Sequence, residues 1–427
     1  MQERIYTADI ADHEGAVITC CGWVHRIRNL GKVTFLLLRD RTGIIQTVWE
    51  QDPELPLESV ISVSGRVSAN QKAPGGYELH IRSEGLTVLS RAAADLPVAV
   101  NLDPGTLSLT ALLDNRMLTL RNPKIRSIFT LQAHILAYFA EYMRSRDFTE
   151  IKSSKLLGSG SEGGTGLFEV EYFDRKVYLA QSPQLYKQAM VASGMERVFE
   201  VGAAYRAEKH ETLRHLNEYI SLDVEMGFIE SDQELMDLEA GILAHLFRRI
   251  RENDAHILTE WETTLPEPEK AEEIPRISHD EAKKIIARRN GTRVFELTPE
   301  GERTLCDWAA EEAGIEAVFV HSFPRKKRPF YTYPEGRKTM SFDLIFRGLE
   351  ITSGGRRIHD YAMLLENIVR FGLEPDHMSD YLSVFKYGCP PHGGFAIGLE
   401  RITQKILGLK NIKEASLFPR DRRRVSP

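Results

Sequence analysis

No stretch of this chain carries the ~18 consecutive apolar side chains that a membrane-crossing helix needs, and Met1-Gln2-Glu3-Arg4 does not open a signal-like apolar segment. The expectation is a cytoplasmic protein. Cysteine is scarce: Cys20, Cys21, Cys306 and Cys389 are spaced neither as the paired ligands of a zinc site nor as a disulfide framework, so reduced, structural thiols are expected. An excess of positive charge is missing too. The formal net charge of −6 gives no general attraction for polyanions, so any nucleic acid has to be held by local basic clusters. Internal repeats and low-complexity tails are also absent.

What remains is a composition suited to packed cores, 42% hydrophobic and 27% charged over 427 residues, which is too long for one core and implies roughly two or three domains. Five β-rich runs come first: Val17 to Trp23, Val33 to Leu38, Ile44 to Trp49, Val60 to Val67 and Tyr77 to Ile81. Punctuated by Gly31, Gly43, Gly65 and Pro74-Gly75-Gly76, they predict a five-stranded barrel of the oligonucleotide-binding (OB) type over residues 1–92, with a generic β-sandwich as the alternative. Residues 93–122, with Pro97 and Pro104 and little periodicity, read as a hinge or linker. Beyond Pro123, Ile128, Leu131, Ile135, Leu136, Phe139 and Met143 recur at three- and four-residue steps, the mark of an amphipathic helix. It opens a larger α+β domain over 123–427, with strands expected at Arg197 to Tyr205, Tyr219 to Phe228, Thr339 to Leu349 and Gly393 to Gly398.

Three segments could carry chemistry. The first is a strand ending in Tyr205-Arg206-Ala207-Glu208, then a polar loop with Arg214-His215-Leu216, then a second strand from Tyr219. Cations at a strand end and in a loop are what a polyphosphate site needs, whereas the same residues alone would read as a solvated hairpin. The second contains Asp343 and Glu350, two hard oxygen donors suited to Mg²⁺, followed by Ser353-Gly354-Gly355-Arg356-Arg357. Their seven-residue separation is odd, so one regular strand would point them to opposite faces and convergence would need a bulge or bend. Arg357 could grip a carboxylate with both arms of its fork. The third, Gly393-Gly394-Phe395-Ala396-Ile397-Gly398-Leu399-Glu400-Arg401, is a glycine-rich strand-to-helix junction that matches neither the Walker A nor the Rossmann pattern.

In this order the three segments resemble the motifs of class II aminoacyl-tRNA synthetases, and the barrel-then-catalytic-domain order agrees. Ser161-Glu162-Gly163-Gly164-Thr165, Gln181-Ser182-Pro183-Gln184-Leu185-Tyr186-Lys187-Gln188 and Ser341-Phe342-Asp343 are similar to signatures of the aspartyl enzymes. The resemblance spans nearly the whole chain. It implies a catalytic domain on a mainly antiparallel sheet flanked by helices, a homodimer, and ATP, L-aspartate and tRNA as substrates with Mg²⁺.

By the same resemblance, Arg206 binds the ATP α-phosphate and the substrate carboxylate, Glu208 reads adenine, Tyr219 stacks on it, and Arg401 covers the other face. Arg214 and His215 assist the polyphosphate; Ala207, Leu216, Gly398, Leu399 and Glu400 complete the nucleotide site. Asp343, Glu350 and Ser353 hold the metal. Lys187 and Arg357 select the side-chain carboxylate of aspartate, with Glu162, Gln184, Leu185, Tyr186 and Ser353 around it. In the barrel, Phe35 and Gln46 match anticodon-reading positions, with Arg28 nearby, and stacking on an exposed Phe35 is worth ~1–3 kcal/mol per base. Phe35 could equally be a core residue by periodicity alone. The compact length resembles the archaeal-type group, and His25 with the loop Lys72 to Gly76, Pro74 included, resembles its relaxed members, which charge both tRNA(Asp) and tRNA(Asn). One departure is Ser154, where the family's first motif has a proline at the dimer interface. The competing readings are an asparaginyl enzyme of the same architecture, a non-translating paralogue such as an asparagine synthetase, which lacks the barrel, and an RNA-binding protein with a dead synthetase domain.

Overall fold

The computed structural model describes residues 3–31, 33–158, 166–208 and 212–426. The chain divides into two compact units, Met1–Arg126 and Ser127–Pro427.

In the first unit, alternation of apolar and polar residues makes strands β1 (Val17–Leu30), β2 (Val33–Arg39), β3 (Ile44–Trp49), β4 (Val60–Ala69) and β5 (Tyr77–Ser90). They close into a barrel in the order β1-β2-β3-β5-β4, with β4 returning to pair with β1. Every pair is antiparallel except β3 with β5. The five expected strands are all present, and β5 runs on past Ile81. Along β2, Thr34, Leu36 and Leu38 point inward while Phe35 and Leu37 stay half-buried on the outer face. Leu36 and Leu38 join Ile18, Cys20, Val24, Ile61, Val63 and Leu79 in the interior.

One ion pair is sealed into this unit. Arg39 forks onto Glu58 through Nη1 (2.9 Å) and Nη2 (2.7 Å), with the two side chains 1% and 2% exposed. Arg121 adds a third donor to Glu58 at 3.2 Å. His25 Nδ1 accepts from Arg39 Nη1 at 2.8 Å, so His25 is neutral, and burial with the Arg39 charge holds its pKa down at about 4. Residues 93–122 contain two short α-helices, Leu109–Asp114 and Arg116–Thr119. Ser108 Oγ caps the first by accepting from Ala111 N, and the Asn122 amide donates to the carbonyls of Val100 and Leu102.

The second unit is built on an eight-stranded sheet. Its strands are β6 (Thr149–Glu150), β7 (Arg197–Tyr205), β8 (Glu218–Gly227), β9 (Arg276–Ser278), β10 (Ala317–His321), β11 (Ser341–Phe346), β12 (Leu349–Arg356) and β13 (His392–Gly398). The order is β9-β10-β11-β12-β13-β8-β7-β6, antiparallel except at the two edges. The helices that matter below are α1 (Pro123–Ser145), α2 (Gln184–Met190), α3 (Gln233–Asn253), α4 (Pro299–Ala313) and α5 (Leu399–Leu407). The periodic residues Ile128, Leu131, Ile135, Phe139 and Met143 of α1 pack with Leu243, Leu246 and Phe247 of α3 and with Phe199, Leu222 and Val224 of the sheet.

The single strand expected over Thr339 to Leu349 is corrected by the structure. β11 ends at Phe346, Arg347 and Gly348 turn the chain with φ of 48° and 72°, and β12 starts at Leu349. Positive φ at both central residues matches the twist of a tight hairpin. Gly348 is required for a second reason, because a Cβ there would sit 2.5 Å from Arg303 Cγ. The left-handed Arg347 is held by hydrogen bonds to Glu316, to the carbonyl of Lys405 and to the carbonyl of Thr264.

Glu58→Ala leaves Arg39 buried without its counter-charge. Hydrogen exchange should show β1 and β4 amides opening ~3–5 kcal/mol more easily while β7 and β8 keep their protection. A loss below about 1 kcal/mol would contradict the assigned weight of this pair.

Candidate active site

A cavity of about 360 Å³ opens on one face of the large sheet. Strand alternation explains what lines it: Tyr219, Ser221 and Asp223 of β8 point into the cavity, while Leu222 and Val224 point into the core. Gln184 and Lys187, one turn apart on α2, face the same space.

At one end lies a buried charge cluster. Lys187 Nζ donates to Asp223 Oδ1 at 3.0 Å and lies 3.3 Å from Glu225 Oε2, and the carbonyls of Val224 and Phe395 accept from it at 3.3 Å. Arg357 donates from Nε to Glu225 Oε1 at 3.0 Å, and from Nη2 to Glu225 Oε2 at 3.3 Å and to the Gly394 carbonyl at 2.8 Å. Burial alone would push the Glu225 carboxyl up, but Arg357 and Lys187 more than offset it and hold it below the usual carboxylate range. Gly394 is obligatory beside this cluster, since a Cβ there would meet Val224 O at 2.0 Å and Glu225 Oε2 at 2.2 Å. Behind Glu225, Tyr381 donates to Gln188 Oε1 and the Gln188 amide donates to His392 Nε2, leaving His392 Nδ1–H for the Pro390 carbonyl. Burial holds His392 down at about 4, so it adds no charge.

The other end gathers arginines, most of them paired with carboxylates. Arg206, Arg214, His215 and Arg401 line it together with Glu208, Leu216 and Tyr219. The Arg206 guanidinium stands over the Tyr219 ring at 5.5 Å, and Asn217 closes the loop by donating to the carbonyls of Arg206 and Glu208. Arg214 pairs with Glu302 of α4 at 2.5 Å, and the same carboxylate accepts from Glu350 N at 3.2 Å. Glu400, the second residue of α5, receives Ile220 N on both oxygens at 3.1 Å, and burial pushes its carboxyl up to about 7. It fixes the α5 terminus against β8 and so aims Arg401, whose Nη1 donates to the Glu350 carbonyl at 2.8 Å.

The hairpin at Arg347-Gly348 resolves the parity problem of the acidic pair. Asp343 lies opposite Ser353 and Ile345 opposite Glu350, with a bulge between Leu344 and Ile345. Two strands, not one, bring Asp343, Glu350 and Ser353 together.

The family described as tRNA synthetases class II (D, K and N) matches residues 108–422, and an OB-fold nucleic acid binding domain matches residues 18–88. The chain belongs to the class II tRNA synthetases. It is 47% identical to an aspartate–tRNA(Asp/Asn) ligase from Thermus thermophilus, covering 99% of this chain and 100% of that one. It is 46% identical to the enzyme of the same name from Deinococcus radiodurans, covering 100% and 99%. Among solved structures, the asparaginyl-tRNA synthetase from Pyrococcus horikoshii complexed with asparaginyl-adenylate superposes with a TM-score of 0.92 at 31% identity over all of both chains.

Within this synthetase fold, most of the expected site residues converge on the cavity: Gln184, Lys187, Arg206, Glu208, Arg214, His215, Leu216, Tyr219, Glu350, Ser353, Arg357, Gly398, Glu400 and Arg401. Others do not line it. Leu185 turns into a neighbouring apolar cluster, Leu399 is core, and Ala207 donates its N–H to the Gly166 carbonyl. Tyr186 is absent from the lining, and Glu162 with the rest of Ser161 to Thr165 lies outside the described residues. Asp343 is buried one layer back, where Arg328 reaches it. Asp223, Glu225, Glu302 and Arg328 were not expected from the sequence; only the period-two step from Tyr219 along β8 could have drawn attention to Asp223 and Glu225.

In the barrel, register sets Arg28 beside Phe35 and Phe35 beside Val48, with Gln46 beside Glu78 on the same outer surface. Phe35 is half-buried and stands outside the interior cluster, so it is not a core residue. Gln46 donates to Glu78 at 2.8 Å. His25 is bonded to the Arg39–Glu58 pair, and Pro74 is exposed in the turn Pro74–Gly76. Ser154 folds its hydroxyl onto Leu156, accepting from N at 3.2 Å and donating to O at 3.0 Å, a local constraint where a proline ring would have supplied one.

Beneath the cavity floor, Glu239 of α3 is fully buried facing Thr352 of β12, and burial pushes its carboxyl up to about 8. An unfolded chain releases this proton near the ordinary 4.5. Between those two values unfolding releases a proton, so stability falls as pH rises. Glu239→Gln, which mimics the protonated acid, should therefore gain urea resistance over the parent progressively from pH 5.5 to pH 8, with little difference at the acid end. A constant difference across that range would show that Glu239 is already ionised in the fold.

Proposed function

We propose that this chain is an aspartate–tRNA ligase that activates L-aspartate with ATP and transfers it to tRNA(Asp), and also to tRNA(Asn). The observation that carries the reading is the buried Lys187–Glu225–Arg357 cluster opening onto the same cavity as Arg206, Glu208, Arg214 and Arg401. Two cations held on either side of Glu225 suit a second carboxylate, the side chain of aspartate, and discriminate against a neutral amide. Asp223, at Lys187 and on the cavity wall, supplies the counter-charge for an α-ammonium group. The names of the relatives at 46–47% identity support the aspartyl reading and the relaxed choice of tRNA.

Chemistry at this site needs no protein nucleophile. The α-carboxylate of aspartate attacks the α-phosphorus of ATP, pyrophosphate leaves, and a ribose hydroxyl at the tRNA terminus then takes the aspartyl group with release of AMP. Arg206 binds the α-phosphate and the attacking carboxylate, Tyr219 stacks on adenine, Glu208 accepts from its amino group, and Arg214, His215 and Arg401 take the polyphosphate. Asp343, Glu350 and Ser353 form a hard oxygen donor set that fits Mg²⁺. Burial and the neighbouring Glu350 push Asp343 up to about 6 despite Arg328, a carboxyl whose ionised form a cation would stabilise. When bound, the metal neutralises charge on the nucleotide phosphates. Phe35, with Arg28 and Gln46, forms the anticodon platform of the barrel. A cytoplasmic homodimer completes the reading, and among the described residues no helix is long and apolar enough to cross a membrane.

Arg206→Ala and Arg401→Ala should each lower aspartate-dependent ATP–pyrophosphate exchange by ~10²–10³ or more with the circular dichroism spectrum unchanged. Exchange within a few-fold of the parent in either variant would remove that residue from the site. Phe35→Ala should reduce kcat/KM for tRNA by ~10–100-fold, the stacking of one base, and spare exchange. Equal loss of both activities would instead make Phe35 a structural residue.

A further inference from the structure

The groups assigned above to the metal are not free of cations in the protein itself. Arg328 Nη1 donates to Ser353 Oγ at 2.8 Å, and its Nη2 lies 2.8 Å from Asp343 Oδ1. Both charged side chains are about nine-tenths buried, at 10% and 9% exposure. The guanidinium is also seated on the Phe323 ring, 3.8 Å from its centroid, so the position is a built one. The other carboxylate, Glu350, has Arg401 Nη1 at 3.5 Å. Each acidic donor thus carries one arginine.

We propose that Arg328 is the resident counter-cation of Asp343 and Ser353, occupying their oxygens in the absence of a divalent ion and leaving them when the metal and nucleotide enter. This rests on the reading of Asp343, Glu350 and Ser353 as metal donors. A divalent ion brought within a few ångströms of a fixed guanidinium is repelled inside a low-dielectric site, so the two cannot share Asp343 at full strength. Arg328 lines the cavity, so its long side chain can swing into the space where a triphosphate would lie. Its backbone has reason to stay, because Arg325 is tied to Asn367 at 2.6 Å and Lys327 to Glu296 at 2.6 Å. Incoming phosphates supply the acceptors that Arg328 loses at Asp343. Metal and nucleotide then bind cooperatively, each removing an obstacle to the other.

The test is Mn²⁺ binding to the full chain, read by the electron paramagnetic resonance signal of the free ion, with and without a non-hydrolysable ATP analogue. Without nucleotide, Arg328→Gln should bind Mn²⁺ at least ~fivefold more tightly than the parent, and the tightening that the analogue gives the parent should shrink in the variant. Phe323→Leu, which unseats the guanidinium without removing it, should tighten binding about twofold and decides the matter if Arg328→Gln does not fold. Asp343→Asn should abolish the site in every condition. If Asp343→Asn loses Mn²⁺ while Arg328→Gln and Phe323→Leu bind it no better than the parent, the counter-cation role is wrong and the metal assignment stands. If Asp343→Asn binds Mn²⁺ like the parent, the metal assignment itself fails and the role of Arg328 falls with it.

Discussion

The catalytic unit is organised around one buried carboxylate, Glu225, that holds two buried cations apart and in place. Removing Lys187, Arg357 and Glu225 from water costs several kcal/mol per ion, and only close, directional contacts make that tolerable. Those contacts tie four separate pieces of chain together: α2 through Lys187, β8 through Glu225, the end of β12 through Arg357, and β13 through the Gly394 carbonyl. A side chain at position 394 would break the cluster, and Gly393 and Gly394 keep that passage open. The neutral His392, fixed by Gln188 and Pro390, closes the rear without adding charge. The cavity therefore meets its ligand with pre-positioned cations rather than with flexible lysines.

Much of this was legible in the sequence, and the misses share a physical cause. The barrel strands and the helix from Pro123 follow from local periodicity, which binary burial imposes directly. The acidic pair was harder. The turn between Asp343 and Glu350 is Arg347-Gly348, without the Asn-Gly or Asp-Gly signal of a tight hairpin, and its left-handed arginine is stabilised by distant groups such as Glu316. Read as one strand, the seven-residue spacing is a parity conflict; read as a hairpin, it is the expected geometry. Glu302, Glu239 and Arg328 escaped notice because each acts through a partner in another element of the fold, Arg214, Thr352 and Asp343 respectively. A buried charge surrounded by ordinary helix or loop residues leaves no local mark.

The same electrostatic logic runs through the nucleotide end. Arg214 leans on Glu302, Arg401 on Glu350 and Arg328 on Asp343, so the cavity is nearly balanced before any ligand arrives. Such pairings hold long side chains in low-entropy positions and keep buried charges from destabilising the unit.

The fold alone does not decide the amino acid, since an asparaginyl enzyme superposes on this chain with a TM-score of 0.92. We propose that charge at Lys187, Arg357 and Glu225 decides it. The most direct test is the ratio of kcat/KM for aspartate over asparagine in ATP–pyrophosphate exchange by the purified protein. Two desolvated cations facing a neutral amide should give a preference for aspartate of ~10³ or more; equal use of the two amino acids, or a preference for asparagine, would contradict the account.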